Sequence, residues 1–80
     1  MVDFSVQLVA VIDGALHSVA RYDCSHGQPP HRDVLNWDGS TARKSSMRPG
    51  ISNNQALNEA VDDFLDNWKR YVRDYLRRWP

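Results

Sequence analysis

One cysteine in 80 residues, Cys24, cannot close a disulfide within the chain, so a reducing, cytoplasmic compartment is the expectation. Long apolar runs are missing as well. The longest, Leu8 to Ile12, falls far short of the roughly 20 residues that a membrane-crossing helix needs, so no membrane partner is expected. No basic start leads into an apolar stretch, and no signal peptide is expected. Net charge is absent, since ten Lys and Arg balance ten Asp and Glu. That removes the overall basic profile of many nucleic-acid binders but leaves room for a local basic face. Glycine and proline number only four each, so the few that occur act as punctuation.

Hydrophobic residues at 41% and charged residues at 25% describe one small globular domain with a single modest core. From Asp3 to Ile12 the chain alternates, with Phe4, Val6, Leu8, Ala10 and Ile12 on one face of a strand. Asp13-Gly14 is a tight hairpin turn, because both residue types tolerate positive φ. A second strand is expected from Leu16 to Tyr22, with Leu16, Ala20 and Tyr22 turned inward. His17 is assigned no role. After the polar stretch 23–30, a third strand should run from His31 to Trp37. Asp38-Gly39 turns into a fourth, Ser40 to Met47, whose hydroxyl side chains and Arg43 and Lys44 mark it as an edge.

The last third changes period. Ser52-Asn-Asn-Gln55 fits a capping box, and the span 53–79 that follows holds no glycine or proline. Leu57, Ala60, Val61, Phe64, Trp68, Tyr71, Val72, Tyr75 and Trp79 recur at three- and four-residue steps and form one apolar stripe. The acidic first half and basic second half suit the helix dipole. The expected fold is α+β, an antiparallel β-meander of three to four strands over 3–47 packed against one long C-terminal helix over about 53–79. At 1.5 Å per residue that helix is roughly 40 Å long, against about 23 Å for seven-residue strands. Its aromatic, basic end should then overhang the sheet, and Trp68, Tyr71, Tyr75 and Trp79 would meet a partner protein or a second copy of the chain.

The stretch Tyr22 to Asp33, YDCSHGQPPHRD, concentrates the chemistry. If strands two and three form a hairpin, Tyr22, Asp23, His26, His31, Arg32 and Asp33 gather at one end of the sheet. Alternation nevertheless puts His31 and Asp33 on one face and Arg32 on the other. Metal-free phosphodiester cleavage would use His31 as general base, with Tyr22 or His26 assisting, Asp23 orienting and Arg32 stabilising phosphate charge. Arg43, Lys44 and Arg48 would hold an RNA backbone, with the basic helix end, Lys69, Arg70, Arg73, Arg77 and Arg78, as a second candidate surface. Three other readings stand beside it. The His26/His31 pair with Asp23 or Asp33 has the ligand types for a metal. Cys24 has the chemistry of a nucleophile. The cluster could also be structural, with Arg21, Arg32 and Asp33 forming cross-strand pairs. No cofactor or metal is assigned.

The pattern Tyr22-Asp23-x-x-x-Gly27-x-x-x-His31-Arg32, with Asp63-Phe64-Leu65-Asp66 on the helix, resembles the TumE-type toxin family of bacterial toxin–antitoxin pairs. The likeness runs loosely from Arg21 to Asp66, a little over half of the chain. It departs at Cys24, where the family has Asn, at Gln28-Pro29, where it has Lys-Gly, and at Asp33, where it has a second His. The resemblance implies a small cytoplasmic growth inhibitor that acts on RNA or translation and is neutralised by a cognate antitoxin. The competing expectation is a non-enzymatic inhibitor, phage- or mobile-element-encoded, that docks through its aromatic C-terminal helix.

Overall fold

The computed structural model describes residues 3–24 and 28–79. Four strands, β1 (Phe4–Ile12), β2 (Ala15–Cys24), β3 (His31–Leu35) and β4 (Thr41–Ser46), precede one helix, α1 (Asn53–Arg77). The strands form an antiparallel sheet in the order β1-β2-β3-β4, so the α+β meander holds, with β1 and β4 as its edges. Asp13 and Gly14 both take positive φ, 52° and 80°, as the tight turn between β1 and β2 requires.

The β1–β2 register slips by one residue. Leu8 pairs with Ala20, but Val9 pairs with Ser18, which leaves Val19 as an extra residue in β2, a bulge. The slip changes which side chains face the helix. Val19 and Ala20 are fully buried in the core with Tyr22, Ala60, Phe64, Tyr71 and Tyr75. Leu16, expected to point inward, is 74% exposed. His17 takes the inward position instead. Its ring lies edge-on to Trp79 at 4.9 Å, and its Nδ1 is 3.4 Å from the Tyr75 hydroxyl.

Helix α1 begins at the expected cap. Ser52 Oγ accepts from the Gln55 backbone N–H, and Gln55 Oε1 accepts from the Ser52 N–H. Asn53 meets Cys24 at one end of β2, and Tyr75 meets His17 near the other. The helix therefore runs antiparallel to β2 and parallel to β1, and packs chiefly on those two strands.

That placement corrects the overhang. Strand β2 is ten residues long, about 33 Å at 3.3 Å per residue, nearly the length of the helix. Tyr71 and Tyr75 are consequently buried and present no surface to a partner. Trp79 is half-buried, and of the four aromatic residues only Trp68 is exposed. The helix closes at Arg78, whose N–H donates to the Tyr75 carbonyl. Strand β3 stops at Leu35, two residues short of the expected Trp37, because Asn36 to Ser40 close a backbone-bonded turn.

The bulge yields a direct test by urea unfolding. Val19→Ala should cost about 2 kcal/mol, as a core truncation, and Leu16→Ser should stay within about 0.5 kcal/mol, as a surface change. The reverse order would mean that β2 pairs without the slip.

Candidate functional site

The two faces of β2 and β3 carry different chemistry. On the face away from the helix, Arg21 lies opposite Asp33 and Asp23 lies opposite His31. Arg21 Nε donates to Asp33 Oδ2 at 3.1 Å, and His31 Nε2 sits 3.6 Å from the same oxygen. His31 Nδ1 is 3.3 Å from the Pro29 carbonyl. Both ring nitrogens thus point at acceptors within the chain, and the residue is buried. Cys24 is also buried, with Sγ 3.5 Å from both the Gln28 carbonyl and Asn53 Oδ1. His26 lies outside the described residues. Among those described, no group of three or more His, Cys, Asp or Glu side chains is arranged to hold a metal ion.

The helix-facing side holds a second polar cluster, centred on Asp63. Tyr22 and Tyr71 both donate their hydroxyls to Asp63 Oδ2, at 2.7 and 2.5 Å. Asn67 donates to Oδ1 at 2.7 Å. Arg32, opposite Tyr22 in the register, donates from Nη1 to the Tyr71 hydroxyl at 2.9 Å and from Nη2 to Ser45 Oγ at 3.4 Å. Tyr22 and Arg32 are thus brought together by Asp63 and Tyr71. Asp23 and His31 are on the opposite face, so the five-residue catalytic set expected from the sequence does not form one constellation.

Burial pushes the Asp63 carboxyl up, but the hydrogen bonds from Tyr71, Tyr22 and Asn67, with the Arg32 charge, outweigh it and hold the group below its ordinary range. Burial and the bond to Asp63 raise the Tyr22 phenol above its ordinary value. The same two causes raise Tyr71, against the opposing pull of Arg32. Burial disfavours the Arg32 charge, yet the bond to Tyr71 and the surrounding negative groups leave its pKa raised.

Arg32 and Tyr71 of this cluster line a groove between α1 and the β3–β4 half of the sheet, which the helix leaves uncovered. The groove has a volume of about 460 Å³ and is lined by Arg32, Arg43, Arg70, Tyr71, Asp74 and Arg78 among others. Arg78 is committed to the fold, donating to the Asn36 side chain and the Leu35 and Asp74 carbonyls. Arg70 lies over the Tyr71 ring at 5.7 Å. Arg32 Nε is buried and has no hydrogen-bond partner.

Of the three residues expected to bind nucleic acid, Arg43 lines this groove. Lys44 stands opposite Asp33 in the register, on the other face, and Arg48 is paired with Glu59 at 2.6 Å. Arg70 and Arg78 belong to the basic helix end, the second surface expected from the sequence, and line the same groove; the bonding role of Asp63 was not foreseen. The four-residue step Arg70-Asp74-Arg78 puts one polar row along a single helix flank.

Residues 1–79 match the family described as a domain of unknown function (DUF7718), and the chain belongs to that family. No curated protein and no solved structure matches it.

Because Asp63 is held low, its contribution to stability is present above the unfolded carboxylate value of about 3.9 and is lost as pH falls through the folded value. Tyr22 and Tyr71 are held high. Their contribution is present below about pH 10 and is lost as pH rises through the folded values. Urea midpoints across pH should therefore fall at both extremes. Asp63→Asn should lower stability near neutrality by about 2 kcal/mol and flatten the acid limb; an unchanged acid limb would remove Asp63 from its central place.

Proposed function

We propose that this protein is an RNA-binding growth inhibitor, the toxin of a bacterial toxin–antitoxin pair, and that the groove between α1 and β3–β4 holds the RNA backbone. The observation that carries this reading is the set of guanidiniums converging on one groove, Arg32, Arg43, Arg70 and Arg78, against the single carboxylate of Asp74. Phosphate oxygens fit such forks of donors. The resemblance to TumE-type toxins adds support, because its two stretches meet in space: Tyr22 of the first bonds to Asp63 of the second.

The same geometry favours binding over His31-dependent cleavage. His31 and Arg32 leave opposite faces of β3, so a phosphate on Arg32 is out of reach of the His31 ring. Within the groove, Arg43 and Arg70 supply the accessible charge, and Arg32 and Tyr71, tied to Asp63 behind them, form a rigid wall. A cognate antitoxin would neutralise the protein by covering this groove.

A second reading, a non-enzymatic inhibitor that docks through its C-terminal helix, is favoured by a separate observation. Leu57, Val61, Leu65, Trp68 and Leu76 are all exposed on α1. The residues available to a partner are these, and not the buried Tyr71 and Tyr75.

Fluorescence anisotropy with a labelled single-stranded RNA separates the two. The wild type should bind with a slope of log affinity against log salt of about −1.4, for roughly two phosphates neutralised. Arg43→Glu/Arg70→Glu should weaken binding at least tenfold, and Lys44→Glu, on the other face, much less. Equal binding by all three proteins would overturn the RNA reading. In cells, growth arrest that survives the double substitution but is lost in Leu65→Glu would favour the docking inhibitor.

A further inference from the structure

The two edges of the sheet are built differently. Strand β4, TARKSS, carries Arg43 and Lys44, and its register slips against β3 between Val34 and Leu35. Charges and bulges on an edge discourage another strand from pairing there. Strand β1, FSVQLVAVI, is nine residues long and has no charge and no proline. Its one register irregularity arises from the extra residue in β2, so the outer edge of β1 is left regular. A long, uncharged edge is a template for another strand.

Beside that edge lies an apolar stripe on α1. Val61, Leu65 and Trp68 border the same shallow pocket as Val6 and Leu8 of β1, and Leu76 continues the row. Leu65 is 69% exposed. A row of charges follows the stripe, acidic at Asp62 and Asp66 and basic at Lys69 and Arg73. Lys69 rests on the Trp68 ring, and Arg73 reaches its neighbour Asp74 along the helix. The sequence of signs is antisymmetric about the midpoint between Asn67 and Trp68. An antiparallel copy of the helix would set Asp62 against Arg73 and Asp66 against Lys69, twice over.

From these features we infer that the β1 edge and the adjoining apolar stripe of α1 pair with a second copy of this chain, about a two-fold axis near Leu8. Residue 8 is the middle of β1 (Phe4–Ile12), and the helix residues beside it, Phe64 to Trp68, bracket the midpoint of the charge row. One axis therefore serves strand pairing and charge pairing together.

The spacing also agrees. The helix lies over β1 and β2, so two helices related by an axis just outside β1 stand about two strand spacings apart. That is roughly 10 Å, near the 8–10 Å at which helices pack. The outcome is a continuous eight-stranded sheet with paired central helices, and both arginine grooves stay open at the outer ends. A partner of different sequence would have no reason to match the antisymmetric charge row. A C2 copy matches it by construction. The inference does not depend on what the grooves bind.

Sedimentation velocity over about 1–100 µM, a range spanning ordinary dimer affinities, tests the proposal. The wild type should be a dimer. Leu65→Glu, on an exposed position, should sediment as a monomer with unchanged circular dichroism. Asp66→Lys and Lys69→Glu should each weaken association at least tenfold, and the double exchange Asp66→Lys/Lys69→Glu should restore it, because the opposed pair is then merely reversed. A monomeric wild type across the range would overturn the inference. So would a dimer indifferent to Leu65→Glu, or a double exchange no better than either single substitution.

Discussion

Helix α1 has to be seated at one angle and one height on the sheet, and Asp63 does that seating. Its carboxylate takes hydroxyls from Tyr22 on β2 and Tyr71 one helical stretch further along, and Tyr71 in turn takes a guanidinium from Arg32 on β3. A carboxylate this close to an aromatic core is tolerated because both of its oxygens accept hydrogen bonds, three in all. The bonds have direction, which apolar packing against Ala60 and Phe64 lacks. They fix the rotation of the helix about its own axis, and that rotation decides what each flank presents.

Both surfaces discussed above follow from that seating. Because the helix lies over β1 and β2, its flank toward β3 and β4 is left open, and Arg70 faces Arg43 across a groove with Arg32 at the base. The opposite flank carries Leu65 and Trp68 past the edge of β1. A helix rotated by one residue, about 100°, would expose the aromatic core and bury either the Leu65 stripe or the Arg70–Asp74 row. The basic groove and the apolar edge are therefore two results of one constraint, and they face opposite ends of the sheet.

Much of the architecture was legible from local rules. The alternation of Phe4 to Ile12, the Asp13-Gly14 turn and the Ser52–Gln55 capping box each depend on neighbours within a few residues, and all three are present. What escaped was non-local. The bulge at Val19 leaves no mark in a stretch that reads ALHSVARYDC. It exchanged the roles of Leu16 and His17. Separately, β2 runs beyond the expected Leu16–Tyr22 at both ends, to Ala15 and Cys24, and the helix end lies over it with Tyr71 and Tyr75 in the core. The site was half legible for the same reason. Spacing put His31 and Arg32 on opposite faces, but it could not say which face would be covered by the helix, and Asp63 and Arg70 are 30 or more residues away in the chain.

The proposed function assigns RNA binding to the helix-facing groove and none to the His31 face. The most direct test is a titration of isotope-labelled protein with a short single-stranded RNA, following backbone amide and arginine Nε–Hε resonances by NMR. Shifts centred on Arg32, Arg43, Arg70 and Tyr71, with His31 and Asp33 undisturbed, are the predicted result. Shifts centred on His31, Asp33 and Arg21, with the groove silent, would place RNA on the other face of the sheet and overturn the proposed function.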